Sequence, residues 1–140
     1  MNLSEQIHEL NLETSSILRE IGNNIGLSLA QVQLILAVPF QSISMSELSQ
    51  TLGIDNSTLT RNLNKLEFSG YVQRNKDDYD KRIFKVSLSK KGLNMKKKIE
   101  NLLEEYSFKI LSELSHKDRQ IVSESLEKLS WAFTKIKHSK

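Results

Sequence analysis

Apolar residues recur along this chain with helical spacing in most places and strict alternation in one. Leu3, Ile7, Leu10, Ile17 and Ile21 fall on one face of a helix predicted from about Ser4 to Ile21. Gly22 and Gly26, with Asn23 and Asn24 between them, read as its frayed end. Their G-x-x-x-G spacing lacks the apolar twenty-residue setting of a membrane dimer motif. Ser28-Leu-Ala-Gln31 has the form of a capping box, with Ser28 at the N-cap and Gln31 reaching back. The helix it opens carries Val32, Leu34, Ile35, Leu36 and Val38, so it must be buried, and Pro39 stops it.

Ser44-Met-Ser-Glu47 is a second capping signature, opening a helix with Leu48 and Leu52 that ends at Gly53. Asp55 or Asn56 then caps a helix from Ser57 to Ser69, whose inward face is Leu59, Leu63 and Leu66. Two short helices joined through Gly53-Ile54-Asp55 match a helix-turn-helix. The alternating stretch follows. Tyr71–Arg74 reads as one strand, Asn75–Arg82 as a turn-rich tip and Ile83–Leu88 as the return strand. Period-two alternation sends Phe84, Val86 and Leu88 to one face, predicted to fasten the hairpin to the core. Ser89 caps a long helix with Ile99, Leu102, Leu103, Tyr106 and Ile110 in phase. Ser115-His-Lys-Asp118 opens a last helix carrying Val122, Leu126, Leu129, Phe133 and Ile136.

The fold expected is mainly α with a small β-hairpin wing. A winged helix-turn-helix lobe spans about residues 28–92. Helices at about 1–26 and 93–140 flank it, and the whole, 1–140, forms a single domain. The lobe is too small to bury three long apolar stripes. They are expected to cover one another across a two-fold axis as a homodimer, rather than to close a larger monomeric bundle.

Composition narrows the chemistry. The chain of 140 residues contains no cysteine, which removes disulfides, thiolate metal sites and thiol redox sensing. Its longest apolar run, Leu34–Val38, cannot span a bilayer, and Glu5, Glu9 and Glu13 give the N-terminus no basic leader. A cytoplasmic protein without membrane partners is expected. Net charge is only +3, but from Thr58 to Lys98 there are twelve Lys and Arg against four Asp and Glu. The rest of the chain holds eight basic and thirteen acidic residues. A basic middle that coincides with a helix-turn-helix and a hairpin favours a polyanion over a merely solvated face.

The polar side of the 57–69 helix presents Ser57, Thr58, Thr60, Arg61, Asn64 and Lys65. An Arg can bond guanine O6 and N7 as a fork, and an Asn can bond adenine N6 and N7. The small hydroxyls near the start suit phosphate, helped by the free N–H groups of the helix end. At the wing tip Arg82 suits the minor groove, and Asp80 is placed to hold its guanidinium. Asp77, Asp78 and Asp80 lack the Gly and Glu of a calcium loop and read as turn formers. Lys90, Lys91 and Lys96–Lys98 could meet phosphate or water. His8, His116 and His138 are too widely spaced to read as a zinc set. No nucleophile–base set, phosphate loop or metal cluster suggests an enzyme, and no cofactor is implied.

These residues resemble the multiple-antibiotic-resistance regulator (MarR) family of dimeric bacterial and archaeal transcription factors. The sharpest likeness is the wing signature D-x-R followed by L-[ST]-x-x-G, here Asp80, Arg82, Leu88, Ser89 and Gly92. Leu27-Ser-Leu-Ala-Gln31 is similar to the family's L-[ST]-x-x-Q, and the order of elements agrees. Ser89 stands where threonine is commoner, and the 57–69 helix lacks a proline often found at its start. The resemblance implies a homodimer on a pseudo-palindromic operator in double-stranded DNA. It also implies a repressor released by a small phenolic or anionic effector. The competing reading is a winged helix used for protein–protein assembly, without sequence-specific DNA binding.

Overall fold

The computed structural model describes residues Met1 to Ser139. It contains α1 (Leu3–Ile25), α2 (Leu29–Ala37), β1 (Ile43–Ser44), α3 (Met45–Leu52), α4 (Asn56–Phe68), β2 (Val72–Lys76), β3 (Phe84–Leu88), α5 (Lys90–Ser112) and α6 (His116–His138). Two compact units result, Met1–Leu103 and the residues from Glu104 on.

Local signals set most helix boundaries. Ser28 Oγ accepts from Gln31 N–H at 3.2 Å while Gln31 Oε1 accepts from Ser28 N–H at 2.9 Å, the reciprocal pair that its sequence predicts. Ser44 Oγ accepts from Glu47 N–H at 3.1 Å, which makes it a simple N-cap. Asp55, not Asn56, caps α4, its Oδ1 accepting from Thr58 N–H at 2.7 Å. α1 begins with a box that the sequence reading missed, in which Asn2 and Glu5 cap each other. It also runs one turn further than predicted, to Ile25. Gly22 is buried inside it, where a Cβ would collide with the Leu27 carbonyl oxygen. That glycine serves close packing, not fraying.

The first unit encloses the core. Val32, Leu34, Ile35 and Val38 of α2 are sealed against Leu48 of α3 and Leu59, Leu63 and Leu66 of α4, with Val72, Val86 and Ile99 closing the remaining sides. Each such side chain contributes roughly 1.5–3 kcal/mol through burial. The sheet is antiparallel, in the order β1-β3-β2. β1 pairs Ile43 with Val86, and β2 pairs Val72 with Leu88 and Lys76 with Phe84. β1 is two residues long and was not predicted.

Alternation along β3 holds at its root and fails at its outer end. Val86 and Leu88 are buried, but Phe84 is 44% exposed and lies beneath the Lys76 ammonium, 6.0 Å from the ring centre. The wing is therefore fastened by two apolar residues of β3, and Phe84 belongs to an open surface. Ser89 joins hairpin to helix. Its N–H donates to Tyr71 O at 3.0 Å, its hydroxyl donates to Gly70 O, and its Oγ accepts from Gly92 N–H at 3.0 Å. Gly92 fits there because any Cβ would overlap the Tyr71 carbonyl oxygen.

The second unit is built differently. α6 has no buried residue, although Ser115 caps it with a 3.1 Å bond from Asp118 N–H. Ile121, Val122, Leu126, Trp131, Phe133 and Ile136 are all exposed.

Candidate functional site

α3 ends at Gly53 in a left-handed cap, and Ile54 N–H returns to Ser49 O at 3.1 Å. This turn delivers α4 with its three leucines inward. The opposite side carries Ser57, Arg61, Asn64 and Lys65 exposed, and Thr58 and Thr60 half-buried. The start of α4 is not a free anion site. The Asp55 carboxylate already takes the Thr58 N–H, and that bond holds its pKa below the ordinary carboxylate range.

The wing tip is a built turn. Asp77 Oδ2 accepts from Tyr79 N–H at 3.1 Å and from Asp80 N–H at 3.0 Å, and Asp77 Oδ1 pairs with Lys85 Nζ at 3.1 Å. Asp80 in turn grips Arg82. Its Oδ1 accepts from Arg82 Nε at 3.0 Å and its Oδ2 from Nη2 at 3.1 Å, while Oδ1 also takes the Arg82 N–H. The Arg82 side chain is nevertheless 91% exposed. A fork on one edge of the guanidinium leaves its remaining N–H donors facing outward in a fixed direction. Arg82 bonding lowers the pKa of Asp80, and Lys85 bonding lowers that of Asp77.

A shallow cleft joins wing and helix-turn-helix. It is lined by Ser44, Met45, Ser46, Asn56, Arg82, Ile83 and Phe84, and a neighbouring depression by Thr60, Glu67 and Arg74 with Met45 and Phe84. The half-exposed Phe84 thus lies between α4 and the wing tip.

Arg74 is the residue that sequence reading missed. Its sequence position predicts only a place in the first wing strand. In the structure its Nε and Nη2 fork onto Glu67, each at 3.1 Å, and Nη2 also donates to Asn64 Oδ1 at 2.7 Å. The Arg74 bond holds the Glu67 carboxyl below its ordinary range and raises the guanidinium above its own. Nothing local links positions ten residues apart across a turn, so only the folded hairpin brings them together.

Two basic-helix lysines have structural partners. Lys91 Nζ donates to Ser69 O at 2.7 Å and stacks 4.5 Å over the Tyr71 ring. Lys96 Nζ donates to Val38 O at 2.6 Å, supplying the end of α2 with a cation that α2 itself lacks. Lys90, Lys97 and Lys98 remain exposed. Among the described residues no three His, Asp or Glu gather as metal ligands, and no helix is long and apolar enough to cross a membrane.

Two capped helices followed by a hairpin that leans on the second helix define a winged helix-turn-helix protein. Residues 25–83 match the model of the MarR family. Over 56 residues it is 38% identical to the HTH-type transcriptional regulator SarZ of Staphylococcus haemolyticus, covering 40% of this chain and 38% of that one. Over 80 residues it is 31% identical to SarZ of Staphylococcus aureus, covering 57% and 51%. The chain therefore spans about half or less of the length of these curated relatives, which are named as transcriptional regulators rather than enzymes. The fold is shared over nearly the full length with a MarR transcriptional regulator from Methanosarcina mazei (TM-score 0.83, 24% identity, 96% of this chain and 97% of that one). It is shared also with the transcriptional regulator BldR from Sulfolobus solfataricus (TM-score 0.80, 24% identity, 95% and 93%).

Proposed function

We propose that this protein is a sequence-specific double-stranded DNA-binding transcriptional regulator acting as a homodimer on a pseudo-palindromic site. One observation carries the reading: Arg82 projects from the wing with its guanidinium held by Asp80, and it lines a cleft with Asn56 at the start of α4. Arg61, Asn64 and Lys65 then face the major groove, Ser57, Thr58 and Thr60 approach backbone or base edges, and Arg82 enters the adjoining minor groove. The exposed apolar stripes support pairing of two copies. Leu3, Leu10 and Leu12 of α1, Phe108 and Ile110 of α5 and the α6 set are uncovered in one chain. Two-fold pairing sets the recognition helices about one DNA turn apart.

The proposal includes repression, relief by a small phenolic or anionic effector, and a cytoplasmic location, as the family resemblance implies. A winged-helix assembly module is the second reading, favoured by Phe68, which is 96% exposed at the end of α4. Fluorescence anisotropy on a duplex separates the two. A regulator loses affinity steeply between about 50 and 200 mM salt, and Arg61→Ala with Arg82→Ala abolishes duplex binding while the dimer persists. Unchanged duplex binding in that double variant removes the regulator reading.

A further inference from the structure

Sequence alone assigns Asn64 as a bidentate reader of adenine, free to present either end of its amide. The fold restricts it. Arg74 Nη2 lies 2.7 Å from the Asn64 Oδ1. A guanidinium has five N–H donors and no acceptor, so the amide atom facing it must be the oxygen. The orientation is thus fixed by chemistry rather than by the choice of rotamer.

The fixing group is itself immobilised. Arg74 sits on β2 opposite Val86, a fully buried residue, and its fork on Glu67 leaves its side chain only 24% exposed. Glu67 is one helical turn beyond Asn64 on α4, so the guanidinium spans that turn from the wing side. Asn64 remains exposed. Its oxygen is engaged by a cation toward the wing, and its Nδ2, with two N–H donors, is the end left to solvent.

We propose that Arg74 is a positioning residue for base recognition, fixing Asn64 as a hydrogen-bond donor toward the DNA. This rests on the DNA-binding reading above and deepens it. An outward donor seeks a major-groove acceptor, which is N7 or O6 of guanine, N7 of adenine or O4 of thymine. Cytosine presents only the N4 amino donor at that edge, so donor meets donor and cytosine is rejected. The specificity of α4 at this position is therefore set from the wing strand, by a residue that itself need not touch DNA.

Selection of bound sequences from a random duplex pool tests this, using the full chain. Asn64→Ala identifies the position that Asn64 reads. Wild type is expected to exclude cytosine there. Arg74→Met keeps the aliphatic stem but removes the donor, freeing Oδ1 to accept from cytosine N4. At that same position cytosine should rise by about fivefold or more, the scale of one lost base discrimination. Glu67→Gln keeps one acceptor for Arg74 and leaves Nη2 able to donate to Asn64, so it should shift the preference less than Arg74→Met does. Arg74→Met in the Asn64→Ala background should produce no further change at that position. Uniform weakening across all sequences by Arg74→Met, or a shift at a different position, overturns the positioning role. An equal shift from Glu67→Gln does so too, since the effect is then general distortion of the wing. If Arg74→Met fails to melt cooperatively, Arg74→Leu serves. It also removes every donor facing Asn64, and it must show the same relaxation at the Asn64 position or the inference fails. A wild-type chain that enriches no sequence at all defeats the DNA-binding reading instead.

Discussion

The first unit and the second have similar apolar content but opposite economies of burial. Between α2 and α5 most leucines and valines point inward, and Leu34, Leu48, Leu63 and Val86 are fully sealed. From Glu104 on, the same residue types point outward, and α6 buries none of them. Equal hydrophobicity with unequal burial teaches that the two regions satisfy themselves differently. One folds around its own core. The other is an unfinished half-core whose complement, on the reading above, is a second copy.

The strongest challenge to that contrast is a paired truncation. Leu63→Ala should cost about 2–5 kcal/mol in denaturant unfolding, by the same amount at any protein concentration. Leu126→Ala with Phe133→Ala should lower the midpoint mainly in dilute solution, because it weakens an association. A concentration-independent loss from the α6 pair would show that α6 completes a monomer's core.

Gly92→Ala sharpens the boundary between hairpin and α5. A methyl there overlaps the Tyr71 carbonyl oxygen, which is backbone and cannot swing aside. The expected loss is about 2 kcal/mol or more, read by thermal melting. A variant that melts like wild type would mean that the hairpin–helix joint is slack.

Much of this was legible from sequence, where the signals are local. The Ser28–Gln31 box, the Asp55 cap, the Gly53 turn and the inward leucines of α4 each depend on neighbours within four residues. Asp80 holding Arg82 is of the same kind, two residues apart. The failures are long-range. β1 exists only because Ile43 finds Val86. Lys96 reaches the end of α2 across fifty-eight positions of sequence. Phe84 obeys the alternation but lies past the edge of the core, where the pattern predicts a direction without saying what is there to meet it. The Asn2–Glu5 box is local too, but it opens ahead of the first apolar residue of the helix, where the periodic pattern has not yet begun.

Cap removal should produce a smaller effect. Asp55→Ala removes the acceptor of the Thr58 N–H and should lower the melting temperature of the winged-helix lobe slightly. Its duplex affinity is the more telling readout. The uncapped N–H groups become available to phosphate and a carboxylate is gone, so affinity should fall less than stability does.

The smallest expected effect is titration. Glu67 has a folded pKa below its ordinary value of 4.5, chiefly through Arg74. Its contribution is fully present above pH 4.5 and is lost as pH falls through the lower folded value. The pair is partly exposed, so the difference between wild type and Glu67→Gln should be under about 1 kcal/mol at neutral pH and vanish in acid. A difference that grows on acidification has the wrong sign for this account.

Sedimentation of the chain with a selected duplex tests the division of labour most directly. Two chains per duplex are predicted for wild type, with Arg61→Ala and Arg82→Ala leaving two associated chains and no duplex. One chain per duplex, or a double variant that still sediments with DNA, would contradict it.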